Sequence, residues 1–542
     1  MGEIELYDAT LRDGMGGGGI DLTVREKLQV VRRLDVLGVD IIEAGFPASN
    51  PKERELFDLL AEESLPTAQI AAFGMTRRRD TRPENDPGLA ELAACFAPIV
   101  TLVGKSSTLQ VEVVVRVSHE ENLRIISDSV RFLVGAGKRV IFDAEHFFDG
   151  YELDDAYALE CVRAAAEAGA ERVALCDTNG GSLPMQIQES VSAVREALPE
   201  LELGIHTHND SGCAVANTLV AVQAGATQVQ GTMNGIGERT GNANLITIIA
   251  DLQLKMGFNL LDPERIAMLT ETSLFMDEML NRTPNPGQPY VGKHAFAHKA
   301  GLHAAGVSKD SSTFEHVDPE LVGNDRDLLV SELAGRATVM EKALEAGLKL
   351  DELSAQRTAQ KVKELEHRGF QFEAAEASFE LLMRRESGQY AKLFELESWR
   401  VIVEKRADGR VITEATIKIW VPDRKTGSRF LRTAEGNGPV NALDRALREA
   451  LVEINPKLRE IDLVNFKVRI LDEEKGTGAI TRVLIDSTDG EAVWGTIGVS
   501  ENVIEASWEA LVDALEYGMQ PREGGGDDNA PAPGAALRTA GG

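Results

Sequence analysis

The sequence predicts an α/β protein: a (β/α)₈ TIM barrel, then a helical linker region, then a C-terminal α+β domain of two βββα units. Eight short apolar runs alternate with amphipathic helical stretches over residues 1–262, which is the count and length of a closed eight-stranded barrel. Near the C-terminus a strand–strand–strand–helix order occurs twice. A doubly wound open sheet is the structural alternative, although it rarely needs eight units.

The expected barrel strands end at polar residues, whereas the helical stretches between them mostly end at glycine, as helices often do. Four segments follow from these patterns. We expect a catalytic barrel over 1–262, helical linker subdomains over 263–395, a regulatory or dimerising domain over 396–519, and a disordered Gly/Ala/Pro-rich tail over 520–542. The expected strands lie at 4–9, 39–46, 70–74, 99–104, 139–146, 172–178, 203–210 and 227–235.

Composition excludes several classes of protein. The formal net charge is −30 over 542 residues, which argues against nucleic acid or an anionic membrane as the main partner. A local arginine or metal can still hold an anionic small molecule. No run approaches the roughly 18 apolar residues of a membrane span, and the first residues lack a signal-peptide pattern. The four cysteines are widely spaced, so we expect no disulfide and a cytoplasmic location.

The active site of such a barrel lies at the carboxyl ends of its strands. Almost every predicted strand here ends in a charged or amide side chain, a concentration that solvated surface alone does not explain. In strand order, these residues are Asp8, Arg12, Asp13, Glu43, Lys105, Asp143, Glu145, His146, Asp177, Thr178, His206, His208, Asp210, Glu238, Arg239 and Asn242.

The segment "HTHND" is the sharpest of these signals. His206 and His208 are two residues apart on a strand, so both imidazoles point to the same side and can bind one metal ion. Asp13 is the natural oxygen ligand, and an asparagine from the loop after strand eight can add another. Mixed imidazole and carboxylate ligation suits Mn, Zn, Fe or Co and tolerates Mg, so the identity of the metal stays open.

Several motifs resemble one enzyme family. "DATLRDG", "GIHTHNDSGCAVAN", "QGTMNGIGERTGNANL" and "AFAHKAGLH" are similar to motifs of the metal-dependent 2-isopropylmalate, homocitrate and citramalate synthases, which condense acetyl-CoA with a 2-oxoacid. "FDAEHFFDGY" and "WGTIGVSENVIEASWEALVDALEY" look most like the longer citramalate-type members. The resemblance reaches about residue 518 and implies an acyltransferase of amino-acid biosynthesis, with acetyl-CoA as co-substrate.

The resemblance also implies roles for individual residues. The base that deprotonates acetyl-CoA would be a linker histidine supported by a glutamate, and the linker would pack on a partner subunit, giving a homodimer with composite active sites. Feedback by isoleucine is implied in the same way. The implied catalytic residues are Arg12, Glu145 and His303, the substrate-binding residues Arg12, Thr178 and Asp143, and the metal ligands Asp13, His206, His208 and Asn242.

The sequence departs from the family around the expected site. Family members usually carry a glutamine at Gly16 and a tyrosine associated with catalysis at Phe314. The citramalate type also has a glutamate at Gly18, and a tryptophan, an aspartate and a histidine at Ser107, Thr108 and Gln110. Because the metal ligands are intact, we favour altered specificity. The glycines would leave one wall of the substrate pocket without side chains, a bared wall that admits a larger or more polar 2-oxoacid than pyruvate. A lyase of the same barrel superfamily and a catalytically impaired metabolite-sensing subunit are the alternatives. Water, His298 or another group would replace the tyrosine.

Overall fold

The computed structural model describes residues 4–299, 303, 306–307, 309–328, 335–423, 425 and 427–520. The chain forms two compact units, the first from residues 1–296 and 316–326 and the second from 297–315 and 327–542. Apart from Gln520, the predicted disordered tail lies outside the described residues.

The first unit is a closed barrel of eight parallel strands in sequential order. The first strand pairs with the second on one side and with the eighth on the other, where Asp8 lies opposite Gly231. The strands are β1 (Glu5–Asp8), β2 (Ile41–Gly45), β3 (Gln69–Met75), β4 (Ile99–Lys105), β5 (Arg139–Glu145), β6 (Arg172–Asp177), β7 (Glu202–Thr207) and β8 (Gln228–Gly231).

Helices follow the strands and cover the outside of the barrel. The first helix shows why they start and stop where they do: Thr23 and Glu26 form a capping box, and Gly38 ends the helix in the left-handed region with φ 102°. The helices are α1 (Val24–Leu37), α2 (Pro51–Leu60), α3 (Pro87–Ala94), α4 (His119–Gly135), α5 (Phe147–Leu153), α6 (Asp155–Glu167), α7 (Pro184–Ala197), α8 (Ala214–Gln223), α9 (Leu245–Ala250), α10 (Pro263–Ile266) and α11 (Leu269–Met279).

Side chains on both faces of the strands are buried, as expected for a parallel barrel. The inward-facing layer mixes branched and small residues, including Tyr7, Ile41, Ala71, Ile99 and Ala174, which fills the interior rather than leaving a pore. The outer face packs against the helices in the main core of the unit. The barrel interior is therefore a rigid base for the polar side chains at its carboxyl end.

The second unit holds the linker helices and the duplicated domain. Its strands β9 (Ala297–His298) and β10 (Asp327–Leu328) pair in parallel. Each three-stranded antiparallel sheet is followed by an amphipathic helix whose apolar face contributes to a shared core. The remaining elements are α12 (Arg336–Glu345), α13 (Glu352–His367), α14 (Glu376–Glu386), β11 (Glu395–Lys405), β12 (Val411–Val421), β13 (Ser428–Gly436), α15 (Pro439–Leu451), β14 (Asp462–Ile470), β15 (Thr481–Thr488), β16 (Val493–Ser500) and α16 (Val503–Met519).

The predicted fold class is confirmed: a closed eight-stranded parallel barrel precedes a domain of antiparallel sheets. Two strands, β7 and β8, end three or more residues earlier than the sequence pattern predicted. β7 ends at Thr207, because His208 makes only an isolated bridge to Asn242, and β8 ends at Gly231, because a turn with Asn234 at φ 58° follows it. Among the described residues, no helix is both long and apolar enough to cross a membrane.

Candidate active site

Three predicted ligands meet at the carboxyl end of the barrel. Asp13 lies in the turn after β1, His206 in β7 and His208 just after β7. The Oδ2 atom of Asp13 is 3.1 Å from Nε2 of His206 and 3.4 Å from Nε2 of His208. The two imidazole Nε2 atoms are 3.4 Å apart. One metal ion can therefore contact one atom of each residue.

Unpartnered buried atoms test whether these residues suit a metal. Within the described part of the chain, Oδ2 of Asp13, Nδ1 of His208 and Oδ1 of Asn242 are buried without a hydrogen-bond partner. Asn242 bridges His208 through the backbone and donates its amide to the carbonyl of Ile236 over 3.1 Å, which leaves its oxygen free. Buried polar atoms are nearly always paired, so the unpartnered oxygens of Asp13 and Asn242, together with the Nε2 atoms of the two histidines, fit a divalent cation.

Protonation of the two histidines also suits ligation. Nδ1 of His206 lies 3.0 Å from Oε1 of Gln230; since an amide oxygen only accepts, Nδ1 carries a proton and Nε2 is the ring nitrogen that faces Asp13 and would bind a metal ion. Burial and the neighbouring His206 lower the pKa of His208 to about 4, so this ring is neutral at pH 7. Burial works against the charged form of Asp13, but Arg12 and the two histidines hold the pKa of this carboxyl far below its usual range.

Gln230 is a residue that the sequence reasoning missed. It is fully buried in β8 and lies directly opposite His206 in the ladder between β7 and β8. Its amide nitrogen donates to Oδ1 of Asp143 over 3.3 Å and to Oε1 of Gln228 over 3.2 Å. The signal was available, because the register of two parallel strands places one glutamine beside the ligand.

Arg12 is held beside the cluster by contacts on two sides. Its Nε donates to Oε2 of Glu43 over 2.7 Å, and the guanidinium stacks over the ring of Phe73 at 4.1 Å. Its Nη1 is 3.5 Å from Oδ1 of Asp13. Burial opposes the charge, but the carboxylates of Glu43, Asp13 and Asp143 together outweigh burial and raise the pKa of Arg12. A fixed cation thus stands next to the candidate metal ligands.

Asp143 lies below the cluster, inside the barrel. Burial, reinforced by the charge of Glu43, raises the pKa of Asp143 to about 7. Its carboxylate accepts the hydrogen bond from Gln230, so the structure links Asp143 to the candidate ligand His206 through one glutamine. Its predicted contact with substrate stays a prediction.

Glu145 and Thr178 lie at the ends of the next two strands. Glu145 forms a short ion pair with Lys105, and both side chains are largely buried. The Thr178 hydroxyl oxygen accepts the backbone N–H of His146 over 2.9 Å. This leaves the hydroxyl proton of Thr178 free to donate.

The glycine run lies in the loop after β1. Gly14–Gly16 forms one tight helical turn, and a Cβ atom on Gly16 would lie 2.8 Å from Cγ of Glu238. A Cβ on Gly18 would meet nothing within 4 Å. The wall at Gly16 is therefore covered by the Glu238 side chain, whereas the space beside Gly18 is open.

The predicted linker residues belong to the second unit. The rings of His303 and Phe314 stack with centroids 4.3 Å apart. Nε2 of His298 lies 3.2 Å from Oε1 of Glu315, and both side chains are largely buried. The proposed roles of His303 and His298 stay predictions.

Comparison with protein families gives three consecutive matches. The model described as HMGL-like matches residues 3–272, the homocitrate synthase post-HMGL domain-like model matches residues 290–369, and the LeuA allosteric (dimerisation) domain model matches residues 373–519. A parallel barrel with an Asp–His–His cluster at its carboxyl end and these three matches defines the class as an HMGL-like barrel enzyme.

Individual relatives narrow this class. The chain is 50% identical over 518 residues to the (R)-citramalate synthase of Streptomyces coelicolor, covering 95% of this chain and 96% of that one. It is 47% identical over 524 residues to the (R)-citramalate synthase of Aquifex aeolicus, covering 96% and 98%. The crystal structure of Bacillus subtilis HMG-CoA lyase is 19% identical with a TM-score of 0.45, covering 52% of this chain and 95% of that one.

The chain therefore belongs to the (R)-citramalate synthase family. The resemblance to citramalate synthases that the sequence motifs indicated is confirmed, and so is the prediction of a condensing enzyme of the acyltransferase type.

Proposed function

We propose that this enzyme condenses acetyl-CoA with a 2-oxoacid, pyruvate first among them, to give citramalate and free CoA. One observation carries the proposal: Asp13, His206 and His208 converge beside the fixed guanidinium of Arg12 at the carboxyl end of the barrel. A cationic side chain next to a candidate metal site suits a small anion such as a 2-oxoacid, which carries a carboxylate next to a keto oxygen. The names of the two relatives support the same reaction.

Two side chains, together with a divalent metal, would bind and orient the 2-oxoacid. A divalent metal held by Asp13, His206, His208 and Asn242 would supply Lewis-acid polarisation of the keto group. Arg12 stays charged and would balance the negative charge that grows on the keto oxygen. The free hydroxyl proton of Thr178 would hydrogen-bond the substrate carboxylate.

The bond-forming step needs a base near the acetyl group. We infer that His303 with Glu145 removes a proton from the methyl of acetyl-CoA. The methyl carbon then bonds to the keto carbon of the 2-oxoacid, and the keto oxygen takes up a proton. Water finally cleaves the thioester and releases CoA as the thiol, so that the atoms of acetyl-CoA, 2-oxoacid and water are all accounted for.

The loop after β1 bears on which 2-oxoacids the site could accept. A longer or more polar 2-oxoacid than pyruvate would have to use the open space beside Gly18, since Glu238 covers the wall at Gly16. We propose pyruvate as the leading substrate, on the strength of the relatives' names, and a bulkier or more acidic 2-oxoacid as the second candidate, on the strength of this open space.

The experiment is release of free CoA thiol from acetyl-CoA with Mg²⁺ or Mn²⁺, across pyruvate, 2-oxobutanoate, 2-oxoisovalerate and 2-oxoglutarate. We expect fastest release with pyruvate, loss of release in His208→Ala, and unchanged release in the control His367→Ala, whose side chain is exposed on α13. Fastest release with a bulkier acid would select the second candidate. No release with any acid would refute the condensing reaction and favour the lyase or the sensing subunit.

Assembly and regulation are part of the proposal. We propose a homodimer with composite active sites, formed through the segment that matches the dimerisation domain over residues 373–519, and tested by light scattering coupled to gel filtration. Inhibition by isoleucine and a cytoplasmic location stay predictions from the family resemblance and the sequence.

A further inference from the structure

One arginine in the loop after β8 joins the ends of three neighbouring strands. The Nε atom of Arg239 donates to Oδ1 of Asp210 over 2.9 Å, and its Nη2 atom donates to Oδ2 of the same carboxylate over 2.9 Å. Nη2 also donates to the backbone carbonyl of Thr178 over 2.8 Å. Because Thr178 directly follows β6 and Asp210 lies in the loop after β7, a single guanidinium bonds the loops after β6 and β7 to its own.

Each of these three loops carries a residue of the candidate site. The candidate metal ligand His208 lies just before Asp210, and the candidate ligand Asn242 lies just after Arg239. The third loop begins with Thr178, which is predicted to bind the substrate carboxylate. The side chains of Arg239 and Asp210 are 42% and 25% exposed, so this ion pair stands at the rim of the site, where it connects the segments that hold these three residues.

Backbone contacts carry a displacement of one loop to the other. His208 bridges Asn242, and the N–H of Asn209 donates to the carbonyl of Gly241 over 2.9 Å. The packing around the ligand is close, because a Cβ atom on Gly237 would lie 2.3 Å from Nδ2 of Asn242. A shift of the loop after β8 would therefore move the side chains of His208 and Asn242 relative to each other and to any ion between them.

The backbone of Arg239 is itself in a rare conformation. It adopts φ 56°, in the left-handed region that residues with a Cβ atom seldom enter. Such conformations persist only where surrounding contacts hold them, and they are concentrated at functional sites. The three hydrogen bonds of the guanidinium are contacts of this kind. Its planar fork can bond both oxygens of one carboxylate at once, which lysine cannot do.

A similar arginine at the opposite end of the barrel provides a matched comparison. Arg139, the first residue of β5, also forms three side-chain hydrogen bonds: two with Glu171 over 2.8 and 2.6 Å and one with Gln69 over 2.7 Å. Its side chain is 39% exposed. Exposed ion pairs of this kind contribute little to global stability. Loss of either arginine should therefore have a similar, small effect on unfolding, and only one of the two lies beside the candidate ligands.

We propose that Arg239 and Asp210 are a positioning pair, which holds His208 and Asn242 in the geometry that binds a divalent metal and holds Thr178 at the substrate position. The pair acts through the loops that it joins, not as a ligand. Functional side chains have to be held within about 0.5 Å of the productive geometry, so a small relaxation of these loops is enough to weaken the site. This inference rests on the proposed condensing function and adds to it the residues that set the geometry of the site.

The test is calorimetric titration of Mn²⁺ into chelator-treated protein. We expect Arg239→Gln and Asp210→Ala each to weaken Mn²⁺ binding by about tenfold, and the double variant to lose no more than either single one, because each change breaks the same pair. Arg239→Lys should lose less. Arg239→Asn should lose as much as Arg239→Gln, although asparagine tolerates a positive φ, which separates the side-chain contacts from backbone strain.

The control is Arg139→Gln, which should bind Mn²⁺ as wild type does and should unfold at about the same temperature as Arg239→Gln. Equal losses of Mn²⁺ affinity in these two variants would overturn the inference, because a general loosening of the barrel would then explain them. Additive losses in the double variant would also overturn it, since the two residues would then act separately.

Steady-state kinetics separate this inference from the proposed function. The KM for pyruvate should rise in Arg239→Gln, while the KM for acetyl-CoA stays unchanged. If wild type releases CoA and the variants bind Mn²⁺ normally, the inference is refuted and the proposed function stands. If wild type binds Mn²⁺ but releases no CoA with any 2-oxoacid, the proposed function falls, and the Mn²⁺ titrations still decide whether the pair positions the ligands. A raised KM for pyruvate with unchanged Mn²⁺ affinity would contradict the inference, because Arg239 would then act on the substrate and not on the ligands.

Discussion

Replacing Gln230 with leucine should weaken metal binding although every candidate ligand is retained. Gln230 accepts the Nδ1 proton of His206 over 3.0 Å and so fixes which nitrogen faces Asp13. Leucine has no acceptor, so the proton can move to Nε2 and block the lone pair. Removing a hydrogen-bond partner of this kind typically costs about 10–100-fold in metal affinity, or about 1.4–2.7 kcal/mol.

The same change also affects stability, for a separate reason. Leucine leaves Oδ1 of Asp143 and Oε1 of Gln228 without the amide that bonds them, inside a barrel where water cannot replace it. An unpaired buried polar atom costs about 1–3 kcal/mol. Gln228→Leu is the matched control: Gln228 is equally buried and bonds Gln230 and Glu5, but it does not touch His206.

The assay is calorimetric titration of Mn²⁺ into chelator-treated protein, with thermal unfolding measured in parallel. We expect Gln230→Leu and Gln228→Leu to lose similar stability, and only Gln230→Leu to lose about 10–100-fold in affinity. Gln230→Glu keeps an acceptor for His206 and should retain most of the affinity. Wild-type affinity in Gln230→Leu, or equal losses in the two leucine variants, would refute the reasoning.

Three further outcomes are expected. Arg12→Lys should lower kcat/KM by about 100-fold or more, because lysine cannot both bond Glu43 and face the substrate; near-normal steady-state kinetics would contradict this role. Leu34→Ala, at a fully buried position of α1, should lower the free energy of unfolding by about 2–5 kcal/mol in urea titrations. A loss under about 1 kcal/mol would contradict this prediction, because neighbouring side chains would then have filled the cavity left by the leucine. Burial raises the pKa of the Cys161 thiol to about 12, so mass spectrometry should find the partly exposed Cys213 alkylated by iodoacetamide at pH 8 before Cys161; the reverse order would contradict the fold.

The barrel was predictable because its strands are buried on both faces and read as short apolar runs. The site followed from a rule of geometry: the carboxyl ends of parallel strands meet, so Asp13 and His206 were expected together although they lie far apart in the sequence. Strand ends were less predictable. His208 continues the alternating pattern of β7, but it makes only a bridge to Asn242, and this partner comes from a loop whose path the pattern does not encode.

The supporting contacts were harder to predict, because they depend on which residues lie side by side in neighbouring strands. Gln230 supports His206 only through the register of β7 and β8, and Glu43 supports Arg12 only because β1 and β2 are adjacent. The glycine run shows the same limit. The sequence suggested a bared wall, but the Glu238 side chain, far along the chain, covers Gly16.

Formation of the new carbon–carbon bond tests the central claim most directly. Acetyl-CoA labelled with ¹³C in the acetyl group is incubated with pyruvate and chelator-treated protein, with and without added Mn²⁺, and the products are identified by mass spectrometry. We predict labelled citramalate and equimolar CoA when Mn²⁺ is present, and neither without it. Labelled acetate in place of citramalate, or equal citramalate formation with and without the metal, would contradict metal-dependent condensation at the Asp13–His206–His208 cluster.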